Sequence, residues 1–246
     1  MKKKQKPKSP FEKSRAIEEA YARDLRRIAR EVGRIINSYP PGDPAAIPQM
    51  MEALRQYAEI LQPWAKTRAA TMLLQLNHQD ERAWKKATQE MSLGLRAEVR
   101  TAPTGRTMRL LQAEQVELIT SLPIKAGERV QKLATEAIVS GSRSKDFIAE
   151  IMRSGEVTKS RATTIARTET ARAASMLTEA RAKHIKSTGY IWRTSRDADV
   201  RPSHKKMEGK YVAWNDPPTL DGLTGNAGCL PNCRCYPEPV IPESIG

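Results

Sequence analysis

The residue types most able to do chemistry are clustered near the C-terminal end of the chain. Cys229, Cys233 and Cys235 are the three cysteines of the sequence, and His204 precedes them. One imidazole and three thiolates form a ligand set suited to a closed, tetrahedral structural zinc site. The Cys-x-Cys spacing differs from the Cys-x-x-Cys of common zinc knuckles, and His204 comes from far upstream. A disulfide between two cysteines, or reduced thiols packed beneath a loop, therefore stays open as an alternative to bound Zn²⁺.

A second chemistry open to the same residues is nucleophilic catalysis. His204 and Cys233 could serve as the base and the nucleophile of a thiol hydrolase. The Cys-Arg-Cys sequence is not at a helix start and carries no signature of such enzymes, so we expect no catalytic role. Asp197 and Asp199 could form a metal or acid–base pair, but a turn position after a predicted strand favours capping of backbone groups. We therefore expect that the chain is not an enzyme.

Strands and a long loop must position these side chains. The segments 190–194 and 210–214 are aromatic and β-branched, which predicts two strands. Residues 215–232 are rich in Gly, Pro, Asn and Thr, which predicts a long loop that something must hold in place. The cysteines at the end of this loop are placed to do so.

The best-defined helix is predicted just before these strands, over residues 160–188. Glu169 falls on its apolar side, where an unpaired carboxylate would be costly, so a cationic or hydrogen-bonding partner is expected to face it. Two arginines flank it in the sequence Arg167-Thr168-Glu169-Thr170-Ala171-Arg172. Arg201 and Arg234 are our candidates for the partner, which would tie the helix to the cysteine loop.

The rest of the chain is predicted to be helical. Apolar residues at intervals of three or four predict an amphipathic helix over 10–38, and the Pro-rich segment 39–44 breaks it. Pro63 predicts a kink or boundary in the next helical region, and Pro123 with Gly127 predicts a break between two later helices. Ser144 is expected to cap a short helix whose apolar face includes Phe147. The further predicted helices cover 48–95, 106–122, 128–139 and 145–153.

Composition favours an extended chain with an acidic partner. Aromatic residues are only 5% of the 246 residues while charged residues are 28%, so we expect two modest domains instead of one thick core. The formal net charge of +14 favours nucleic acid, because Lys and Arg release counterions when they neutralise phosphates. No apolar run of about 20 residues predicts a membrane span. The clustered cysteines favour a reducing compartment.

The order of motifs in the last part of the chain resembles one known family. An Arg-Thr-Glu helix is followed by a strand with Trp192, by Asp197-x-x-Val200-Arg201-x-x-His204, by Gly209 and by a Gly/Pro loop. Asn232-Cys233-Arg234-Cys235 and Pro239 complete the order. This combination resembles the phage Mu F-like head-morphogenesis family and covers roughly the last 90 residues. We expect structural roles for Arg167, Glu169, Arg172, Trp192, Asp197, Arg201 and Arg234.

The resemblance implies a minor head protein of a tailed bacteriophage, needed for head assembly or DNA delivery and not for catalysis. Its expected partners are the portal protein and capsid or scaffold proteins, with double-stranded DNA as a further candidate. Its expected location is the virion, in the head interior or portal region, and the host cytoplasm during assembly. The alternatives are a zinc-containing nucleic-acid-binding regulator and a cysteine hydrolase.

The expected fold class is α+β. A mostly helical N-terminal region is followed by a small α+β C-terminal domain with a few short strands and a cysteine-fastened loop. The predicted divisions are a disordered basic tail over 1–10, a helical region over 11–140 for portal, DNA or assembly contacts, and the Mu F-like domain over 141–240.

Overall fold

The computed structural model describes residues 9–12, 15–40, 43–89, 91–140 and 145–242. Its α+β class agrees with the sequence-based prediction, because long helices come first and short antiparallel strands follow. The helices are α1 Arg15–Asn37, α2 Ile47–Ala87, α3 Leu93–Thr101, α4 Thr104–Ser140, α5 Lys145–Met152, α6 Ser154–His184 and α7 Pro202–Lys205. The strands are β1 Gly189–Arg193, β2 Tyr211–Ala213, β3 Thr219–Leu220, β4 Leu223–Thr224 and β5 Tyr236–Pro239. No helix in the described part of the chain is long and apolar enough to cross a membrane.

The predicted break at Pro123 and Gly127 is wrong, because α4 continues through both residues. Helix α2 likewise continues through Pro63, so no helix boundary lies there, and the kink that was the other possibility stays a prediction. Packing explains the continuity of α4. Leu122, Ala126 and Val130 are all buried along one side of it, and that burial outweighs the single hydrogen bond that a proline removes. The predicted break after α1 is confirmed, and there Asp43 caps a short 3-10 turn over Pro44–Ala46. Ser144 and the side chain of Phe147 lie outside the described residues.

The chain forms two compact units, each assembled from separate stretches of sequence. Unit 1 comprises Met1–Ile17, Met72–Leu111 and Arg167–Gly246, and unit 2 comprises Glu18–Thr71 and Gln112–Ala166. In unit 2, the apolar side of α1 is buried, and the Tyr21 hydroxyl donates a hydrogen bond to Gln115 Oε1 at 2.9 Å. Gly33 and Gly155 let two helices approach closely there, since a Cβ on Gly155 would lie 3.0 Å from Gly33 Cα.

Unit 1 contains a three-stranded antiparallel sheet with the order β2-β1-β5. The two predicted strands correspond to β1 and β2, whereas β5 was not predicted. Because β5 is an edge strand, it tolerates Pro237 and Pro239, which would interrupt the hydrogen bonds of a central strand. One aromatic cluster packs this unit: Tyr190, Trp192 and Trp214 are buried together with Trp84 of α2.

Candidate functional site

His204 and the two cysteines of the Cys-x-Cys sequence are brought together by three local structures. His204 lies in α7, a single helical turn that begins at Pro202, where the fixed backbone angle of proline suits a helix start. Cys233 follows a turn in which its backbone N–H donates to the Leu230 carbonyl at 3.0 Å. Cys235 directly precedes β5, so the pairing of β5 with β1 fixes its position.

The distances within this group match those expected around a tetrahedral zinc ion. His204 Nδ1 lies 3.4 Å from Cys233 Sγ and 3.5 Å from Cys235 Sγ. With Zn–S bonds of about 2.3 Å and Zn–N bonds of about 2.0 Å, a tetrahedron places sulfur and nitrogen about 3.5 Å apart. All three ligand atoms lie within 4.8 Å of one another. These residues could therefore hold a metal ion.

Burial suits a metal ion better than catalysis, and the electrostatics favour the thiolate that a metal ion binds. His204, Cys233 and Cys235 are only 2%, 3% and 2% exposed, so a substrate has no access to them. A hydrogen bond with the Cys235 side chain lowers the pKa of Cys233 from 9.0 to about 4; His204 contributes, and burial opposes the shift. A thiolate is the form that binds metal. The His204 and Trp192 rings pack almost perpendicular to each other at a centroid distance of 5.6 Å, which holds the imidazole in place.

Cys229, the fourth ligand expected from the sequence, lies outside the group of three. It is half-buried, and its backbone N–H donates to the Asn226 carbonyl at 2.9 Å. The left-handed backbone of Gly228 and Asn232, with φ of 87° and 56°, turns the chain on either side of it. None of the three cysteines forms a disulfide.

Glu169 is buried on α6, as expected, and one of the two arginines that flank it in the sequence pairs with it. Arg172, three residues further along the same helix, donates to Glu169 Oε2 at 3.1 Å. Residues three apart on a helix are neighbours, so this pairing is local. Arg201 instead donates to the Pro231 carbonyl at 2.9 Å, and Arg234 pairs with Asp199 at 2.8 Å.

The turn at Asp197 is held by both its backbone and its charges. Its Oδ1 accepts a hydrogen bond from the Asp199 backbone N–H at 3.2 Å, as in an Asx turn. Arg234 lies 3.2 Å from Asp197 Oδ2, and Arg15 lies 2.9 Å from the same atom. Because Arg234 stands between Cys233 and Cys235 in the sequence, these pairs also position the cysteine segment.

Comparison with known protein families adds to this geometry. Residues 128–237 match the family model described as "Phage Mu protein F like protein". This segment belongs to the phage Mu F-like family. The Mu F-like segment spans α6, the sheet up to the start of β5, His204 and all three cysteines. Its family is one of phage head-related proteins.

One relative of the chain comes without a functional description. An uncharacterized protein of Haemophilus influenzae is 34% identical over 77 residues, which are 31% of this chain and 17% of the relative. The chain therefore matches less than a fifth of that protein. No solved structure matches the chain.

Sequence reasoning missed several contacts that hold the loop of the Mu F-like segment. The Ser175 hydroxyl donates to the Ala227 carbonyl at 2.7 Å, and the Tyr190 hydroxyl accepts from the Ala227 N–H at 3.0 Å. Thr168, beside Glu169, accepts from the Asn232 N–H at 2.9 Å. The link from α6 to the cysteine loop therefore runs through Thr168 and Ser175. Their spacing of seven residues places them on one helix face, but the sequence does not indicate what they contact.

A buried ion pair in unit 1 also has no sequence signature. Arg181 Nη1 of α6 lies 2.5 Å from Asp80 Oδ2 of α2, and Thr178 donates to Asp80 Oδ1 at 2.5 Å. Asn77 accepts from the same guanidinium at 2.9 Å. Burial raises the pKa of Asp80 from 3.8 to about 6, and Arg181 opposes that shift, so the pair is charged at neutral pH.

Proposed function

We propose that this chain is a minor head protein of a tailed bacteriophage that acts in head morphogenesis by docking on the portal protein. The Mu F-like family match over residues 128–237 carries this proposal. The burial of His204 and Cys233 supports an assembly role over the hydrolase alternative, because a nucleophile must reach its substrate. Head components act by binding one another. The buried His204 and Cys233 side chains would serve such a protein by stabilising its fold.

The test is made in the phage or prophage that encodes the chain. Purified virions are analysed by mass spectrometry, and a frameshift in the gene is compared with its complemented strain for infectious yield and head shape. A head role predicts that the chain is present in virions and that the frameshift lowers yield. Absence from virions together with a normal yield would refute the proposal.

Portal docking is tested separately by co-expressing the chain with the portal protein of the same phage. Co-elution on size exclusion is expected. The matched control is the portal protein of an unrelated phage, which should not retain the chain. Retention by neither portal, with sequence-specific binding to duplex DNA, would favour the regulator instead.

We further propose that His204, Cys233 and Cys235 bind Zn²⁺ as a structural ion. The thiolate–imidazole ligand set and the 3.4 and 3.5 Å nitrogen–sulfur distances support this. Zinc would hold the end of the long loop against β1, with a fourth ligand such as a water molecule completing the tetrahedron.

Metal analysis of the purified chain tests the zinc proposal, and about one ion per chain is expected. Cys233→Ser and His204→Ala should lose it. Cys229→Ser is the matched control, because Cys229 is a thiol of the same loop outside the group, and it should keep stoichiometric zinc. Zinc loss in Cys229→Ser equal to that in Cys233→Ser would show that Cys229 is a ligand. Metal-free wild-type protein would end the proposal.

A further inference from the structure

The outer side of α1 carries a row of arginines. Arg23, Arg27, Arg30 and Arg34 are all exposed, and we call them the arginine face. Their spacing of four, three and four residues places them within roughly a 60° arc of the helix, over about 16 Å of its length. The opposite side of α1 is the buried apolar side. The face is therefore fixed on a helix that unit 2 holds in place.

The charges of the arginine face are available to a partner. Among the described residues, neither Arg23 nor Arg30 has an ion pair. Arg34 lies 2.7 Å from Glu31, and Arg27 lies 4.0 Å from Asp24, whose closer partner is Arg68. Exposed pairs of this kind contribute little, between 0 and about 1 kcal/mol, so a stronger anion can displace them.

A groove adjoins the C-terminal end of the arginine face. Arg30 and Arg34 line an open groove of about 520 Å³, where Gly33 and Gly155 bring two helices of unit 2 together. Lys159 and Glu156 lie on the other wall and pair with each other at 3.2 Å. Because Arg34 also pairs with Glu31, Arg30 is the groove arginine that has no ion pair among the described residues.

We infer that the arginine face binds the phosphate backbone of duplex DNA without reading its base sequence. Guanidinium groups recognise phosphate oxygens through two parallel hydrogen bonds. The length of the face exceeds the width of the major groove, about 12 Å, so its outer arginines can reach phosphates on both rims.

An acidic protein surface is the competing partner, and the face suits it less well. Protein interfaces need an apolar centre. None of the large hydrophobic side chains that are exposed in the described part of the chain lies on α1, and one of them, Met152, lines the adjoining groove. The formal net charge of +14 also favours a polyanion. The inference is independent of the proposed head function, because α1 lies outside the Mu F-like segment.

The test measures binding of the full chain to a fluorescent duplex at several salt concentrations. The quadruple variant Arg23→Gln, Arg27→Gln, Arg30→Gln, Arg34→Gln keeps helix-forming side chains but removes the charges. We expect the magnitude of the slope of log affinity against log salt to decrease by up to about 3.6, which is about 0.9 for each phosphate that an arginine no longer neutralises. Two duplexes of unrelated sequence should bind equally.

The matched control removes four exposed positive charges from α2: Lys66→Gln, Arg82→Gln, Lys85→Gln and Lys86→Gln. It should change the slope by less than about 1. Equal effects of both variants on the slope would show that diffuse charge, and not the arginine face, binds DNA. A strong preference for one duplex would contradict backbone recognition. Binding of polyglutamate but not of DNA would assign the face to an acidic protein, and circular dichroism confirms that each variant is folded.

Discussion

The His204, Cys233 and Cys235 group and the arginine face differ most in their exposure to water. The three side chains of the candidate metal site are almost fully buried, whereas the Arg27 and Arg34 side chains are 73% and 75% exposed. A buried polar group must be paired inside the protein, so its interactions contribute to the stability of the fold. An exposed arginine stays hydrated and adds little to stability, so its charge contributes mainly to the binding of a partner. Substitutions in unit 1 should therefore change stability, and those on the arginine face should change binding.

The largest effect on stability is expected when the buried ion pair of unit 1 is broken. Asp80→Ala leaves the Arg181 guanidinium buried without its carboxylate, which should lower the free energy of unfolding by about 3–5 kcal/mol. Urea unfolding followed by circular dichroism measures this. Combining Asp80→Ala with Arg181→Met removes both charges and should restore most of the stability. A single variant as stable as wild type would show that the pair does not anchor α2 to α6.

A smaller loss is expected where β1 starts. A Cβ on Gly189 would lie 2.3 Å from the Val212 carbonyl oxygen, a backbone atom that cannot move without disturbing β2. Gly189→Ala should therefore lower the free energy of unfolding by about 1–3 kcal/mol. Gly94→Ala is the control, because its Cβ meets nothing within 4 Å and the change should stabilise α3 by about 0.5–1 kcal/mol. Equal effects of the two variants would contradict the close packing of β1 on β2.

A still smaller loss is expected at Glu169. Glu169→Gln keeps the shape of the side chain but removes the charge that Arg172 contacts at 3.1 Å. Because Arg172 is partly exposed, we expect the free energy of unfolding to fall by only about 1 kcal/mol. A loss as large as that of Asp80→Ala would mean that Glu169 anchors more of unit 1 than this pair.

The smallest effect on stability is expected on the arginine face. Each Arg→Gln change there should alter the free energy of unfolding by less than about 0.5 kcal/mol, since surface substitutions remove few contacts. The same urea titration measures it. A clear destabilisation of the quadruple variant would contradict the expectation that the arginine face contributes to binding and not to stability.

Local patterns in the sequence were sufficient to predict α1, β1 and β2. The apolar spacing of α1 and the aromatic residues of β1 are patterns that extend over only a few neighbouring residues, so the sequence itself displays them. Strand β5 was missed because its prolines indicate a loop unless it is known to be an edge strand. The continuity of α4 through Pro123 depends on packing, which local sequence does not contain.

The candidate site shows the same limit. Residue types alone identified His204, Cys233 and Cys235 as candidate metal ligands. Whether Cys229 joins them depends on the turns at Gly228 and Asn232, which no spacing rule predicts. Asp80 and Arg181 are 101 positions apart in the sequence, and nothing in the sequence of either helix indicates that these two residues pair.

The most direct test of the claim that the buried His204, Cys233 and Cys235 group stabilises the fold by holding a metal ion is thermal unfolding of wild type and Cys233→Ser, each with and without a zinc chelator. If a metal ion holds the loop, the chelator should lower the melting temperature of wild type to that of Cys233→Ser and should leave the melting temperature of the variant unchanged. The reason is that the chelator and the substitution remove the same ion. A wild-type melting temperature unaffected by chelator, with Cys233→Ser still destabilised, would contradict the metal and show that the thiols act by packing alone.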